Sequence, residues 1–489
     1  MADRPITYYR EKFRPQYHFS PERNFTNDPC GLVHFDGEYH LFYQYNPFDL
    51  DQDPNLLYWG HAISTDLLHW RHMPLQLGPD DLGGISTGCG VVDRHDTSGL
   101  FGGRPGLVLI YVYVRYDVWE APALAYSSDR GRTWHKLHDR NPLLDPGEPG
   151  QLKDAKVFWH AATGRWVMVL TSDQLCLYSS PNLLDWQFES VVEGVRSECP
   201  DLFELAVDGD TKPSKWVLTL AGRYYHLGSF DGRTFTPETE AIPMNFGPDA
   251  YASQTWCDAP GGRRIMIDWM MAWRYARRLD IIPTRPWNGS MSLPRELTLR
   301  STTAGVRLFQ NPVAELAALR ARSCVHEGIT VREGTPFKPD LDGTCVEIEA
   351  EFRVGSATRF GLEVMASERT IYVFAHRSHR IAGERTRITY DVAAAELAVD
   401  RRTAGTVYDE EFAQEYRAPL APSDGRIVLR VLTDWSSVET IANGGEVVIS
   451  TLVFPTPFGG GIRVFASGGS VTLERLRIHR LRSVWNDAP

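Results

Sequence analysis

Gly31-Leu32-Val33-His34-Phe35-Asp36-Gly37-Glu38-Tyr39-His40-Leu41-Phe42-Tyr43-Gln44-Tyr45 is the stretch that decides the fold class. Two strand-like runs, Leu32–Phe35 and Tyr39–Tyr45, flank Asp36-Gly37, a favoured two-residue hairpin turn. Around it, the first 300 residues are rich in Trp, Tyr, Phe, Gly and Asp, with short apolar runs cut by turn signals. No long helical periodicity separates those runs, which excludes a βαβ architecture and predicts an all-β protein.

A repeat extends that reading. Ser64-Thr65-Asp66 precedes Trp70, Ser127-Ser128-Asp129 precedes Trp134, Ser179-Ser180-Pro181-Asn182 precedes Trp186, and Ser229-Phe230-Asp231 precedes Phe235. Each copy reads as a strand end, a polar turn and an aromatic opening the next strand. The copies start roughly 50 to 60 residues apart, the size of one four-stranded propeller blade. Asn311-Pro312 followed by Val313–Arg322 predicts a helix, with Asn as N-cap and Pro in the first turn. It would link a propeller over residues 1–310 to a second domain, with the linker at 311–324. Over 325–489 strands resume, as in Val346–Val354, Ile427–Leu432, Glu446–Phe454 and Val471–Arg480. Gly-rich turns such as Asn443-Gly444-Gly445 predict a β-sandwich. Ala393–Leu397 has helical propensity but is too short to stand as a helix.

The 489 residues suit two domains, and 43% hydrophobic with 23% charged residues is an ordinary globular balance. A net charge of −11 argues against a nucleic-acid surface and suits a neutral substrate. No apolar run reaches the eighteen or so residues of a membrane span, so no membrane is expected as a partner. Met1–Arg14 is polar and shows no signal-peptide core. A secreted protein that has lost its leader is expected, and a cytoplasmic one also fits. Seven scattered cysteines describe neither a disulfide framework nor a metal site, and no cofactor is implied.

Three carboxylates lie in pinned, aromatic surroundings. Asp28 sits in Asn24-Phe25-Thr26-Asn27-Asp28-Pro29-Cys30-Gly31, where Pro29 and Gly31 suggest a turn presenting it. Asp154 lies between Lys153 and Lys156, which would keep it ionised. Glu198 precedes Cys199-Pro200, and burial beside Phe203 would raise its pKa toward that of a general acid. Alone, each has a bland reading: a turn, a surface ion pair, a loop glutamate.

Together these segments resemble glycoside hydrolase family 32, with its Asn-Asp-Pro, Arg-Asp-Pro and Glu-Cys segments in that order. Phe42–Pro47, Trp59-Gly60-His61, Tyr251–Trp256, Pro286–Leu297 and Asp434–Glu439 look like further family segments. The resemblance covers nearly the whole chain and implies a five-bladed β-propeller followed by a C-terminal β-sandwich. It also implies a retaining enzyme acting on a fructan or sucrose-like carbohydrate. Asp28 would be the nucleophile, Glu198 the acid/base, and Asp154 the holder of fructose hydroxyls. Asn27, Gln44, Trp59, Ser86, Thr87, Lys153 and Trp269 would line the substrate subsite.

Three positions depart from the family pattern: Cys30 stands for Asn, Lys153-Asp154-Ala155 for Arg-Asp-Pro, and Ser86-Thr87-Gly88-Cys89 for Phe-Ser-Gly-Ser. Lys gives a point charge where Arg gives a planar fork. Ser for Phe removes an apolar wall. Among the family's branches the chain looks most like the bacterial levan fructotransferases, and that resemblance implies intramolecular fructosyl transfer releasing a difructose dianhydride over hydrolysis. A hydrolytic levanase, inulinase or invertase is the alternative, and an inactive carbohydrate-binding propeller is the alternative of another class. Were Cys30, Cys89 and Cys199 to converge, a disulfide or metal site could form.

Overall fold

The computed structural model describes residues 8–485 apart from 116–117, 146, 148–149, 210–212, 369, 376, 408 and 457–458. The first seven residues of the polar stretch Met1–Arg14 lie outside that set. The Asp36-Gly37 hairpin is present: Asp36 and Gly37 have φ of 48° and 82°, and Phe35 pairs with Glu38. Both positive φ values are what a turn matching the twist of its strands demands.

Five antiparallel sheets succeed one another in chain order, each begun by its innermost strand: Asn24–Phe35, Gly84–Asp93, Lys153–His160, Pro200–Ala206 and Tyr251–Thr255. These first strands touch in a closed ring, so the sheets are the blades of a five-bladed propeller around a central channel. Trp287–Asn288, from the last blade's excursion, pairs parallel to Asn24 and Phe25 of the first and ties the ring shut.

The repeated polar turns join the third and fourth strands of four blades. In the first, Asp66 Oδ1 accepts from the backbone N–H of Leu68 and His69, and the Trp70 indole donates to Leu67 O at 3.1 Å. Asp129 with Trp134 and Asn182 with Trp186 repeat the arrangement. Asp231 caps Arg233 and Thr234 in the fourth blade. Each is a side-chain-capped turn that the sequence encodes locally.

The second half is a sandwich of a six-stranded and a five-stranded sheet, with the extra hairpin Thr370–Ala375 and Arg377–Ala382. Its core includes Ile348, Phe352, Phe360, Leu362, Ile388, Leu429, Val464 and Leu476. The halves are also packed together: Leu432, Ile441 and Val448 of the sandwich share one apolar cluster with Tyr17, Phe19, Met291 and Leu316.

The helix expected from Asn311 is a correction. Asn311 and Pro312 end the last propeller strand, Gly305–Pro312, and Asn311 Nδ2 donates to Gly444 O instead of capping. Only Ala314–Leu319 coils, as a 3-10 turn, and the sandwich strand Arg320–Arg332 starts immediately after it. Cross-strand pairing to Arg295–Thr302 overrides the local propensity. Ala393–Ala395 forms a turn capped by Asp391.

Candidate active site

The inner strands are not regular where they begin. Pairing slips between Thr26 and Pro29, between Ser86 and Cys89, between Lys153 and Lys156, and between Tyr251 and Gln254. Asp154, Cys199 and Ala252 have φ of 56°, 44° and 53°, strained values for residues with a Cβ. Bulges re-aim side chains, and here they turn the starts of the strands toward the channel mouth. Asp28 is thus presented by a bulge within a strand and not by the turn expected from Pro29. Gly31 is needed beside it: φ is 56°, and a Cβ would lie 2.6 Å from the Phe42 ring.

Asp28 is buried and held on both oxygens. Asn27 Nδ2 donates to Oδ1 at 3.1 Å, while Thr87 Oγ1 and Cys199 Sγ donate to Oδ2 at 2.8 and 3.6 Å. Gln44 braces the holders, accepting from Asn27 at 2.6 Å and donating to Thr87 at 2.5 Å and Ser86 Oγ at 3.2 Å. The Trp59 indole fixes that edge by donating to Ser86 O at 2.9 Å. Burial pushes Asp28 up to about 6, against the lowering effect of Thr87 and Asn27.

Cys199 joins the other two carboxylates to this one. Its N–H donates to Asp154 Oδ2 at 3.1 Å, and Glu198 precedes it in the chain. Burial, then the charges of Asp28 and Glu198, lift Asp154 to about 7. This corrects the expectation for its lysines. Lys153 Nζ points to Glu198 Oε1 at 3.0 Å, and Lys156 Nζ points down the channel to Asp201 at 2.9 Å and Thr255 O at 2.6 Å.

Glu198 is also corrected. Its side chain is 46% exposed, with the Tyr251 hydroxyl donating to Oε2 at 2.7 Å. Partial burial pushes it up, but Tyr251 and Lys153 outweigh that and hold it below the ordinary glutamate value. Tyr251 is a site residue that sequence reasoning misses, since only the family resemblance of its segment draws the eye to it. Beside it, Trp273, Arg223, Arg274 and Tyr416 line a cleft of about 440 Å³ that reaches the sandwich.

Asn27, Gln44, Trp59, Ser86, Thr87 and Lys153 therefore converge on the carboxylates. Trp269 does not: it is fully buried against Phe25 and Trp273 and belongs to the core. The buried Lys156–Asp201 pair closes the channel below the site. All seven cysteines are free: Cys30 Sγ donates to Asp28 O, and Cys89 Sγ accepts from Val157 N.

The family model "Glycosyl hydrolases family 32 N-terminal domain" matches residues 18–312, and "Glycosyl hydrolases family 32 C terminal" matches residues 315–480. The chain belongs to glycoside hydrolase family 32. It is 38% identical to a levanase of Bacillus subtilis over 99% of this chain and 72% of that protein. It is 32% identical to an extracellular exo-inulinase of Aspergillus niger over 98% of this chain and 96% of the other. The crystal structure of exo-inulinase from Aspergillus awamori superposes with a TM-score of 0.85 at 30% identity, covering 98% of this chain and all of that one. As a family 32 glycosidase the chain is an enzyme. Within the family framework the departures at Lys153 and Ser86 leave all three carboxylates in place.

Proposed function

We propose that this family 32 enzyme is a retaining β-fructofuranosidase that hydrolyses terminal fructose from fructans. The observation that carries it is the convergence of Asp28, Asp154 and Glu198 around Cys199 in one mouth of the propeller. Fructan is the substrate because relatives similar over nearly the whole chain are named levanase and exo-inulinase. Asp28, fixed on both oxygens, attacks the anomeric carbon. Glu198 protonates the departing oxygen and then, as a carboxylate, draws a proton from water. Tyr251 and Lys153 favour the charged Glu198 that this second step needs. Asp154 Oδ2 is taken by Cys199, which leaves Oδ1 for fructose hydroxyls.

Intramolecular transfer, expected from the fructotransferase resemblance, is the less supported reading. The relatives similar over nearly the whole chain are named levanase and exo-inulinase, while the partly buried Ser86 accepts from Gln44 and holds Trp59 through its carbonyl. Export fits the same reading, since the Aspergillus relative is named extracellular. Chromatography of early products from levan, inulin and sucrose tests it. Free fructose is expected; a non-reducing fructose dianhydride as the main product from levan would assign transfer instead.

A further inference from the structure

The inner strands run the same way through the channel, so the residues that end them meet at its opposite mouth. Asp28, Thr87 and Asp154 stand at the starts of their strands; Asp93 and Trp159 stand at the ends of two of the same strands. There they line a pocket of about 280 Å³ together with Arg94, Trp166, Asp258 and Arg264. The buried Lys156–Asp201 pair lies between the two mouths, so this pocket is not a branch of the carboxylate site.

Its lining has a definite chemistry. Trp159 is 39% exposed, one of few large apolar side chains left in solvent among the described residues. Trp166 props it edge-to-face at 5.2 Å, and Trp166 is itself fixed by its indole donating to Thr97 Oγ1 at 2.9 Å. Arg94 is matched by Asp258 at 2.7 Å. Buried Asp93 is spent on the N–H groups of Thr97 and Ser98. Arg264 lies over the Phe203 ring. The two arginines are balanced by two aspartates, so no net field draws an anion. A rigid, partly exposed indole beside fixed polar groups is instead suited to a neutral ring with an apolar C–H face and a rim of hydroxyls.

We propose that this far mouth is a second carbohydrate-binding site, holding fructosyl units of a polymer whose end is engaged in the carboxylate pocket. It rests on the fructan reading above. The two mouths open on opposite faces, so a short oligosaccharide cannot span them and only a long chain gains from being held twice.

Titration of the Asp28→Asn enzyme with a fructose-terminated trisaccharide by calorimetry should give two sites, and one when Trp159→Ala is added. Kinetically, Trp159→Ala should leave kcat/KM for the trisaccharide unchanged and raise KM for high-molecular-weight levan roughly three- to tenfold, the loss of one aromatic contact. Arg94→Ala, at an exposed position, should shift the levan KM in the same direction. A single site in Asp28→Asn, or an unchanged levan KM in both variants, overturns the proposal. Wild-type enzyme that releases fructose from the trisaccharide but shows no second site fails this proposal alone. Wild-type enzyme inactive on every fructoside fails the underlying reading.

Discussion

The Tyr251 hydroxyl donates to Glu198 Oε2 at 2.7 Å, so the acidity of a residue leading into the fourth blade is set by the fifth. With Asp28 raised to about 6 and Glu198 held low, the form with Asp28 charged and Glu198 protonated is a minority at every pH. The acid limb of a kcat/KM profile then belongs to Glu198, and the alkaline limb to the raised carboxylates Asp28 and Asp154 together, at about 6 and about 7. Tyr251→Phe removes a donor that favours charged Glu198. The acid limb should move to higher pH as the protonated form of Glu198 becomes more populated. A profile whose acid limb stays put would take Glu198 out of that role.

Thr87→Val is the complementary test. Thr87 donates to Asp28 Oδ2 at 2.8 Å and favours its charged form. Without that hydroxyl, Asp28 rises further, so the alkaline limb should move to higher pH while the acid limb stays. The two variants should each move one limb of the same bell.

Asp28→Asn should lower turnover by about 10⁴ or more, since the proposed nucleophile is gone. It should also stabilise the fold. Burial raises the folded pKa of Asp28 from 3.8 to about 6, so the charged form is disfavoured by folding. Wild-type stability is therefore lost as pH rises from about 4 to 6, and the variant does not share that loss. Above pH 7 the variant should be more stable by about 3 kcal/mol, converging with wild type below pH 4. Denaturant unfolding across that range measures it.

His18 bridges the two halves, meeting Asp434 and Glu439 of the sandwich at 2.8 Å each. Burial lowers its pKa, but the two carboxylates outweigh that and raise it from 6.5 to about 9. A raised histidine gives stability that is full below pH 6.5 and is lost as pH climbs through 9. The melting temperature should fall over that window, and His18→Gln should flatten the fall while costing about 3 kcal/mol or more at pH 6.

What could be read from sequence was what the chain encodes locally. The turns at Asp66, Asp129, Asn182 and Asp231 are closed by hydrogen bonds within a few residues, and they disclosed four blades. The fifth blade joins the same two strands with the tighter turn between Thr302 and Gly305, so the repeat is silent there. Asp28, Asp154 and Glu198 were legible only as members of an ordered set. Their settings were not, because bulges and cross-blade partners decide them. Lys153 and Lys156 flank Asp154 in sequence, yet one points to the mouth and the other into the channel. Tyr251 meets Glu198 across 53 residues of chain, a contact with no local mark.

The Lys156–Asp201 pair has a consequence for how a long substrate is worked through. A pocket stopped at its base has one door, used by both the chain and the cleaved sugar. The sugar taken from the chain end lies beneath the remainder, so the remainder must withdraw before the sugar can leave. Threading the chain forward to the next residue is impossible, and every cut demands a fresh docking of the end. Short chains should thus erode distributively, all together, while a polymer also held at the far mouth redocks its end without leaving and loses several units before it exchanges.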